Sequence, residues 1–141
     1  MTLQYRAIYL AGPIDNCTDA EMNDWRTEAI GLLDPIKCFN PCNRHFDMTH
    51  GNNAETSKQV VTLDKAEIAA SDGLLVYYNP PAAGSRMTGT TMEIIHAFER
   101  GKLVVVVTDL QIVSSWVDYH SHKIFRDLEP ACKFIKDFYS K

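Results

Sequence analysis

The segment Ser85-Arg86-Met87-Thr88-Gly89-Thr90-Thr91-Met92-Glu93 holds the residues best suited to chemistry. It leads into an apolar helical period at Ile94, Ala97 and Phe98. Its glycine and hydroxyls therefore sit where the first amides of a helix lack intrahelical partners, a setting for an anion or for the hydroxyls of a sugar. The lysine that follows the second glycine of a P-loop is missing, which disfavours triphosphate hydrolysis. Glu93 is expected in the first turn of the helix, where the positive dipole end favours the carboxylate, and an ionised glutamate can act as a nucleophile. The plainer reading is an acidic residue that merely suits the dipole. Asp64 offers a second carboxylate: it lies eight residues before Asp72, hence about 12 Å up a helix toward the same edge, unless it is only an exposed helical charge. Tyr9 sits in a buried strand, where a phenol needs a partner for its hydroxyl. Arg86 carries a charge suited to phosphate or to solvent, whereas Trp25 and Phe39 read as core residues rather than platforms for a base.

These residues need a frame, and the apolar periodicity supplies one. Short runs at Ala7 to Leu10, Ile36 to Phe39, Leu74 to Tyr78, Leu103 to Val107 and Lys123 to Phe125 read as strands. Helices alternate with them. Thr18-x-x-Glu21 is a capping box ahead of Met22, Trp25, Ala29 and Leu33, which recur on one helical face. A second helix spans about Ser57 to Ala70, with Val60, Leu63, Ala66 and Ile68 inward. A third opens at Gly89-Thr90-Thr91 and a short one covers Gln111 to Tyr119. A last one is capped by Asp127, with Ala131, Phe134, Ile135 and Phe138 inward. The polar stretch Asn43 to Thr56 has neither period and reads as a long loop. Strands of four or five apolar residues that alternate with helices predict a doubly wound α/β sandwich: about five parallel strands with helices on both faces, of flavodoxin or Rossmann type. Such sheets bind ligands outside the carboxyl ends of their strands, so the loops Gly12 to Thr18, Asn40 onward, Asn79 to Thr90 and Thr108 onward frame the expected site.

The 141 residues suit a single domain, 1–141. No apolar run approaches the roughly 20 residues of a membrane span. With 14 basic against 18 acidic residues, the net charge of −4 argues against a partner bound through a phosphate backbone, so no nucleic acid polymer and no membrane are expected. The start MTLQYRA lacks the features of an export signal, so a cytoplasmic protein with reduced thiols is expected. Cys17, Cys38, Cys42 and Cys132 form no CxxC pair. Even with His45 or His50, Cys38 and Cys42 lack the second half of a zinc site, and no metal or cofactor is called for. His120 and His122 would point to opposite faces of a strand and read as partly exposed polar residues.

Several motifs in order along nearly the whole chain resemble the nucleoside 2-deoxyribosyltransferase family, which includes related nucleoside 5′-monophosphate N-glycosidases. They are Tyr9-Leu10-Ala11-Gly12-Pro13-Ile14, Asp64 with Asp72-Gly73-Leu74-Leu75-Val76, Gly89-Thr90-x-x-Glu93-Ile94-x-x-Ala97, and Gly101-Lys102 before a valine-rich strand. The Gly-Thr-x-x-Glu-Ile element is the most specific of them. The resemblance implies that Glu93 attacks the anomeric carbon of a 2-deoxyribosyl unit. It further implies that Asp64 handles the base, Tyr9 lies near the nucleophile and Gly12 forms the turn beside the sugar. Such chemistry is physically apt, because a carboxylate stabilises oxocarbenium character and can trap the sugar, while a proton donor helps the base depart.

Met87 departs from both branches: six residues before the glutamate, the transferases carry an aspartate for the sugar hydroxyl and the monophosphate hydrolases a phosphate-binding serine. Ser85, Arg86 and Thr88 are the available substitutes. Pro13-Ile14-Asp15 replaces a serine and arginine of the hydrolases, and Asp15 would repel a phosphate. Toward the end, where the family contributes a residue from a neighbouring subunit, this chain offers Ile112 and then Ser114-Ser115-Trp116, so a homo-oligomer is expected with that segment near the interface. The expectation is an enzyme for a small nucleoside or nucleotide: Glu93, Asp64 and Tyr9 catalyse, while Gly12, Pro13, Ile14, Asn40, Ser85, Arg86, Met87, Gly89, Thr90, Ser114 and Ser115 surround the substrate. Transfer to a second base or to water, a monophosphate N-glycosidase, and a non-catalytic nucleotide sensor are the readings it leaves open.

Overall fold

The computed structural model describes residues 2–44 and 54–141. Within them, β1 (Ala7–Ala11), β3 (Gly73–Tyr77) and β4 (Leu103–Val107) are the apolar runs long enough to be buried on both faces. β2 (Lys37–Phe39) and β5 (Lys123–Phe125) are three-residue edges. All pairings are parallel, in the order β2-β1-β3-β4-β5. Parallel strands require crossovers, which are supplied by α1 (Asp19–Leu33), α2 (Ala54–Ala69), α3 (Thr88–Glu99) and α4 (Ser115–Tyr119), with α5 (Leu128–Tyr139) closing the chain. The expected doubly wound sheet is therefore present.

Strand alternation divides the core in two. Ile8, Leu10, Leu75, Val105 and Val107 pack with Trp25, Ala29 and Leu33 of α1 and Ala131 and Ile135 of α5. On the opposite face, Tyr9, Ala11, Leu74, Val76, Val104 and Val106 meet Ile68 of α2, Ile94 and Ala97 of α3, and Val117 of α4. Each fully buried Val, Leu or Ile contributes about 1.5–3 kcal/mol relative to exposure. The order reverses beside β1, because the first crossover goes to β2 and the next returns to β3. This places a crevice at the carboxyl ends of β1 and β3.

Several local expectations need correction. The capping box at Thr18 and Glu21 forms as read, but on α1 the buried set includes Arg26, while Met22 is only half-buried. On α2, which begins at Ala54 rather than Ser57, Leu63 is 41% exposed and Ala66 is also exposed. In α5, Tyr139 is buried where Phe138 was expected, because the helix turns its last residue toward Gly73 and leaves Phe138 43% exposed. Asp127 occupies the N-cap position of α5 without a capping side-chain bond. The fourth helix is shorter than expected, starting at Ser115. His120 is buried, and both it and His122 pack against the Phe98 ring, at 5.2 and 5.1 Å, rather than facing opposite ways. His45, His50 and most of the expected loop 43–56 lie outside the described residues. Among the described residues, no group of three His, Cys, Asp or Glu is placed to hold a metal, and no helix is long and apolar enough to cross a membrane.

Gly73 begins β3 where there is no room for a side chain: a Cβ would fall 2.8 Å from the Leu103 carbonyl oxygen and 2.9 Å from the Tyr139 hydroxyl. Gly73→Ala is expected to destabilise the fold by about 1–3 kcal/mol, read as a lower midpoint in urea denaturation.

Candidate active site

The crevice opens into a cavity of about 950 Å³. Its floor comes from β1 and its walls from the loop after β1, the segment after β2, α2 and the first turns of α3. Tyr9, Gly12, Pro13, Ile14, Asp64, Ser85, Arg86, Met87, Gly89, Thr90 and Glu93 line it together. Asn40, Ser114 and Ser115 do not. The Asn40 side chain accepts from the Cys42 amide at 3.0 Å and so caps the short 3-10 turn Pro41–Asn43. Ser114 caps α4, accepting from the Val117 amide at 3.3 Å, and Ser115 is the first residue of that exposed helix.

At the centre, the Tyr9 hydroxyl donates to Glu93 Oε2 at 2.7 Å. Tyr9 reaches this position from the middle of a buried strand, and the bond answers the need of its phenol for a partner. Burial raises the Tyr9 pKa, and the charges of Glu93 and Asp64 raise it further, so this hydroxyl stays a donor.

Glu93 is not in the first turn of its helix. The helix begins at Thr88, which makes Glu93 its sixth residue and sets it beyond the reach of the terminal amides. Its environment opposes ionisation: desolvation pushes its pKa up to about 8, the adjacent Asp64 adds to the rise, and the Tyr9 hydrogen bond and the charge of Arg26 pull the other way. The carboxyl therefore binds its proton more tightly than an ordinary glutamate. Its place in the helix removes the dipole support expected for the carboxylate, and burial acts against that form.

Asp64 is not an exposed helical charge either. Arg44, from the turn after β2, donates one Nη to Asp64 and the other to Glu67, one turn further along α2. The spacing of these two carboxylates by three residues lets one guanidinium clamp both. Sequence reading missed Arg44, which lies in a polar stretch without period. It also missed Arg26, although an arginine between Trp25 and Ala29 on an apolar stripe was a visible signal.

The upper rim is tied across the opening. Asn16, with a left-handed φ of 64°, donates to the Gly84 carbonyl oxygen at 3.1 Å, and Glu21 accepts from the Ala82 amide at 2.8 Å. The turn beneath requires glycine at position 12, where a Cβ would lie 2.6 Å from the Trp25 ring. Met87 has a φ of 57° at the N-cap of α3 and packs its side chain into the core. It offers no side-chain cap, so the first amides of α3 remain available at the cavity wall beside Arg86. Asp15 and Asp19 face the same cavity.

Residues 5–110 match the family described as nucleoside 2-deoxyribosyltransferase like. A search of curated proteins gives no match. Among solved structures, a 2-deoxyribosyltransferase from the psychrotolerant bacterium Bacillus psychrosaccharolyticus superposes with a TM-score of 0.71 at 20% identity, over 88% of each chain. A 2-deoxyribosyltransferase from Leishmania mexicana gives 0.64 at 13% identity, over 94% of this chain and 97% of the other. A CMP N-glycosidase from Clostridium botulinum gives 0.55 at 15% identity, over 93% and 99%. At these identities the structural likeness establishes the shared fold.

The raised pKa of Glu93 is also a statement about stability. Folded Glu93 binds its proton more tightly than an ordinary glutamate at 4.5, so between that value and about 8 the unfolded chain has lost a proton that the folded one keeps, and stability falls as pH rises through this window. Glu93→Gln removes the effect. Its melting temperature relative to wild type should climb from pH 5 to pH 8 and then level off; a constant difference across that range would refute the assignment.

Proposed function

The chain belongs to the nucleoside 2-deoxyribosyltransferase-like family, and on that premise we propose that it is an enzyme that cleaves the N-glycosidic bond of 2′-deoxynucleosides through a glycosyl ester on Glu93. The deoxyribosyl group then passes to another nucleobase or to water. The observation that carries this reading is the Glu93 carboxyl, held by the Tyr9 hydroxyl at 2.7 Å at the wall of a cavity with a second carboxylate, Asp64, beside it.

The pair supplies both halves of the chemistry. Below about pH 8 it carries a proton on Glu93 while Arg44 engages Asp64. As the C1′–N bond breaks, its electron pair stays on the base nitrogen, which takes up that proton by way of Asp64. Freed of it, the Glu93 carboxylate bonds to C1′. The products are a glycosyl ester and a neutral base, so atoms and charge balance. Attack by a second base or by water then regenerates the protonated pair with net retention at C1′. Val60, Val61 and Ser57 of α2 line the cavity on the same helix as Asp64 and offer a partly apolar wall for the face of the base.

One observation favours the monophosphate reading. The uncapped first amides of α3 lie beside Arg86, a pairing suited to a 5′-phosphate. Asp15 and Asp19 on the facing loop oppose it. Turnover of a nucleoside compared with its own 5′-monophosphate decides between them, and tight binding with no turnover of either would establish a sensor instead.

We also propose a homo-oligomer that associates through α3, α4 and the loop before α4, where Met92, Ile112, Trp116 and Tyr119 are 60–88% exposed, so that Ser114 and Ser115 approach a neighbouring cavity. Trp116→Arg should shift the species seen by light scattering toward the monomer; a wild-type protein that is already monomeric at assay concentration would refute this.

Glu93→Gln should lower base release by at least about a thousandfold. Full activity in that variant would eliminate Glu93 as nucleophile. Tyr9→Phe, which removes one donor from the reacting carboxyl, should cost about a hundredfold in kcat. Because the active pair carries one proton, kcat/KM should decline above pH about 8, and in Tyr9→Phe the decline should move to higher pH.

A further inference from the structure

The largest fully buried side chain among the described residues is a charged one. Arg26 has no exposed surface, and among the described residues no carboxylate pairs with it. Its Nη1 donates to the Met22 carbonyl oxygen at 2.6 Å and its Nη2 to that of Gly12 at 3.1 Å. The guanidinium lies 4.6 Å from the centre of the Trp25 ring, and Nε has no partner. Two neutral carbonyls do not require a cation. A buried charge without a counter-ion weakens a fold, and replacing buried charges by apolar groups of similar volume is often neutral or stabilising. Support of α1 alone therefore does not explain why an arginine stands here.

The surroundings of the reacting carboxyl do explain it. Gly12, whose carbonyl Arg26 holds, follows β1 at the floor of the cavity shared by Tyr9 and Glu93. We infer that Arg26 is a positioning residue for Glu93: a permanent cation sealed beneath the Gly12 turn, whose field stabilises the Glu93 carboxylate once it has given up its proton and whose Nη2 fixes that turn. This inference rests on Glu93 being the nucleophile.

The charges around the carboxyl agree. Facing Glu93 are Tyr9 from β1, Asp64 from α2 and Arg26 from α1, with Arg44 engaged by Asp64 and Glu67. Asp64 opposes the carboxylate form of Glu93, whereas the Tyr9 bond and Arg26 favour it. Facing Arg26 are Cys42, Tyr9, Glu93 and Cys17. Burial lowers the Arg26 pKa and these four groups raise it, and an arginine in a protein retains its charge. When the Glu93 proton moves to the leaving base, Arg26 is a positive charge already in place, needing no rearrangement of solvent.

Arg26→Met keeps much of the volume and removes the charge. It should fold with a melting temperature at or above that of wild type, yet show kcat lowered by about tenfold or more with KM nearly unchanged. The alkaline limb of kcat/KM should move to higher pH by about one unit. Arg26→Lys retains the charge and should leave the limb at its wild-type position. Titration of carboxyl-labelled glutamate by carbon-13 NMR gives a readout independent of activity, and the Glu93 resonance should titrate at higher pH in Arg26→Met than in wild type. If Arg26→Met does not fold, Arg26→Gln, neutral with a donor left for Gly12, carries the same test. The inference is overturned if the charge-free variant keeps the wild-type limb and kcat, if its activity falls only in proportion to loss of folded protein, or if Arg26→Lys shifts the limb as far as the neutral variant. Glu93→Gln separates the two layers: activity retained there removes the nucleophile assignment, whereas an inactive Glu93→Gln beside an unaffected Arg26→Met removes only the role of Arg26.

Discussion

A carboxyl group taken out of water resists ionisation, and the architecture around Glu93 is organised by that constraint. Desolvation is the largest influence on this side chain, and each neighbour either adds to it or relieves it. The tyrosine that relieves it sits on a strand whose five residues are all buried, so its hydroxyl has little freedom to turn elsewhere. The helix that carries Glu93 starts at Thr88, which places the carboxyl in the second turn, above the sheet rather than at the rim. A reversal of strand order beside β1 opens the space those groups share. Position, burial and protonation are thus consequences of one topological feature.

Much of this frame is legible in the residues. Leu103 to Val107 is strand-sized, β-branched and free of charge, and it forms the strand with those bounds. The Thr18 and Glu21 spacing announces the start of a helix because the two side chains satisfy each other's backbone donors, a local effect that needs no tertiary information. Facing directions are less legible where a helix is covered on one side only. Leu63 and Phe138 have apolar side chains that periodicity assigns inward, yet each keeps about two-fifths of its surface exposed. Tyr139 displaces Phe138 because the close approach at Gly73 admits a hydroxyl there.

The candidate site is legible in its residues but not in its electrostatics. Gly89-Thr90-x-x-Glu93 marks one side of the candidate cavity, and Tyr9 and Asp64 join it across 84 and 29 residues of sequence. What spacing alone cannot supply is the sign of the effect on the carboxyl: Glu93 stands in the second turn, away from the terminal amides, and burial then dominates. Arg44 and Arg26 are hidden for opposite physical reasons. The first stands in a polar stretch where an arginine has no expected partner, and the second interrupts an apolar stripe where periodic reading tolerates one exception.

Both margins of the sheet are short and begin with a lysine. Lys37 opens β2 and lies 4.7 Å from the centre of the Phe39 ring, and Lys123 opens β5 at 5.8 Å from that of Phe134. Three residues are too few to template another ladder, and a charged head at each lateral boundary discourages fibrillar stacking of one molecule beside the next. Growth of a continuous intermolecular sheet is thereby disfavoured at either edge.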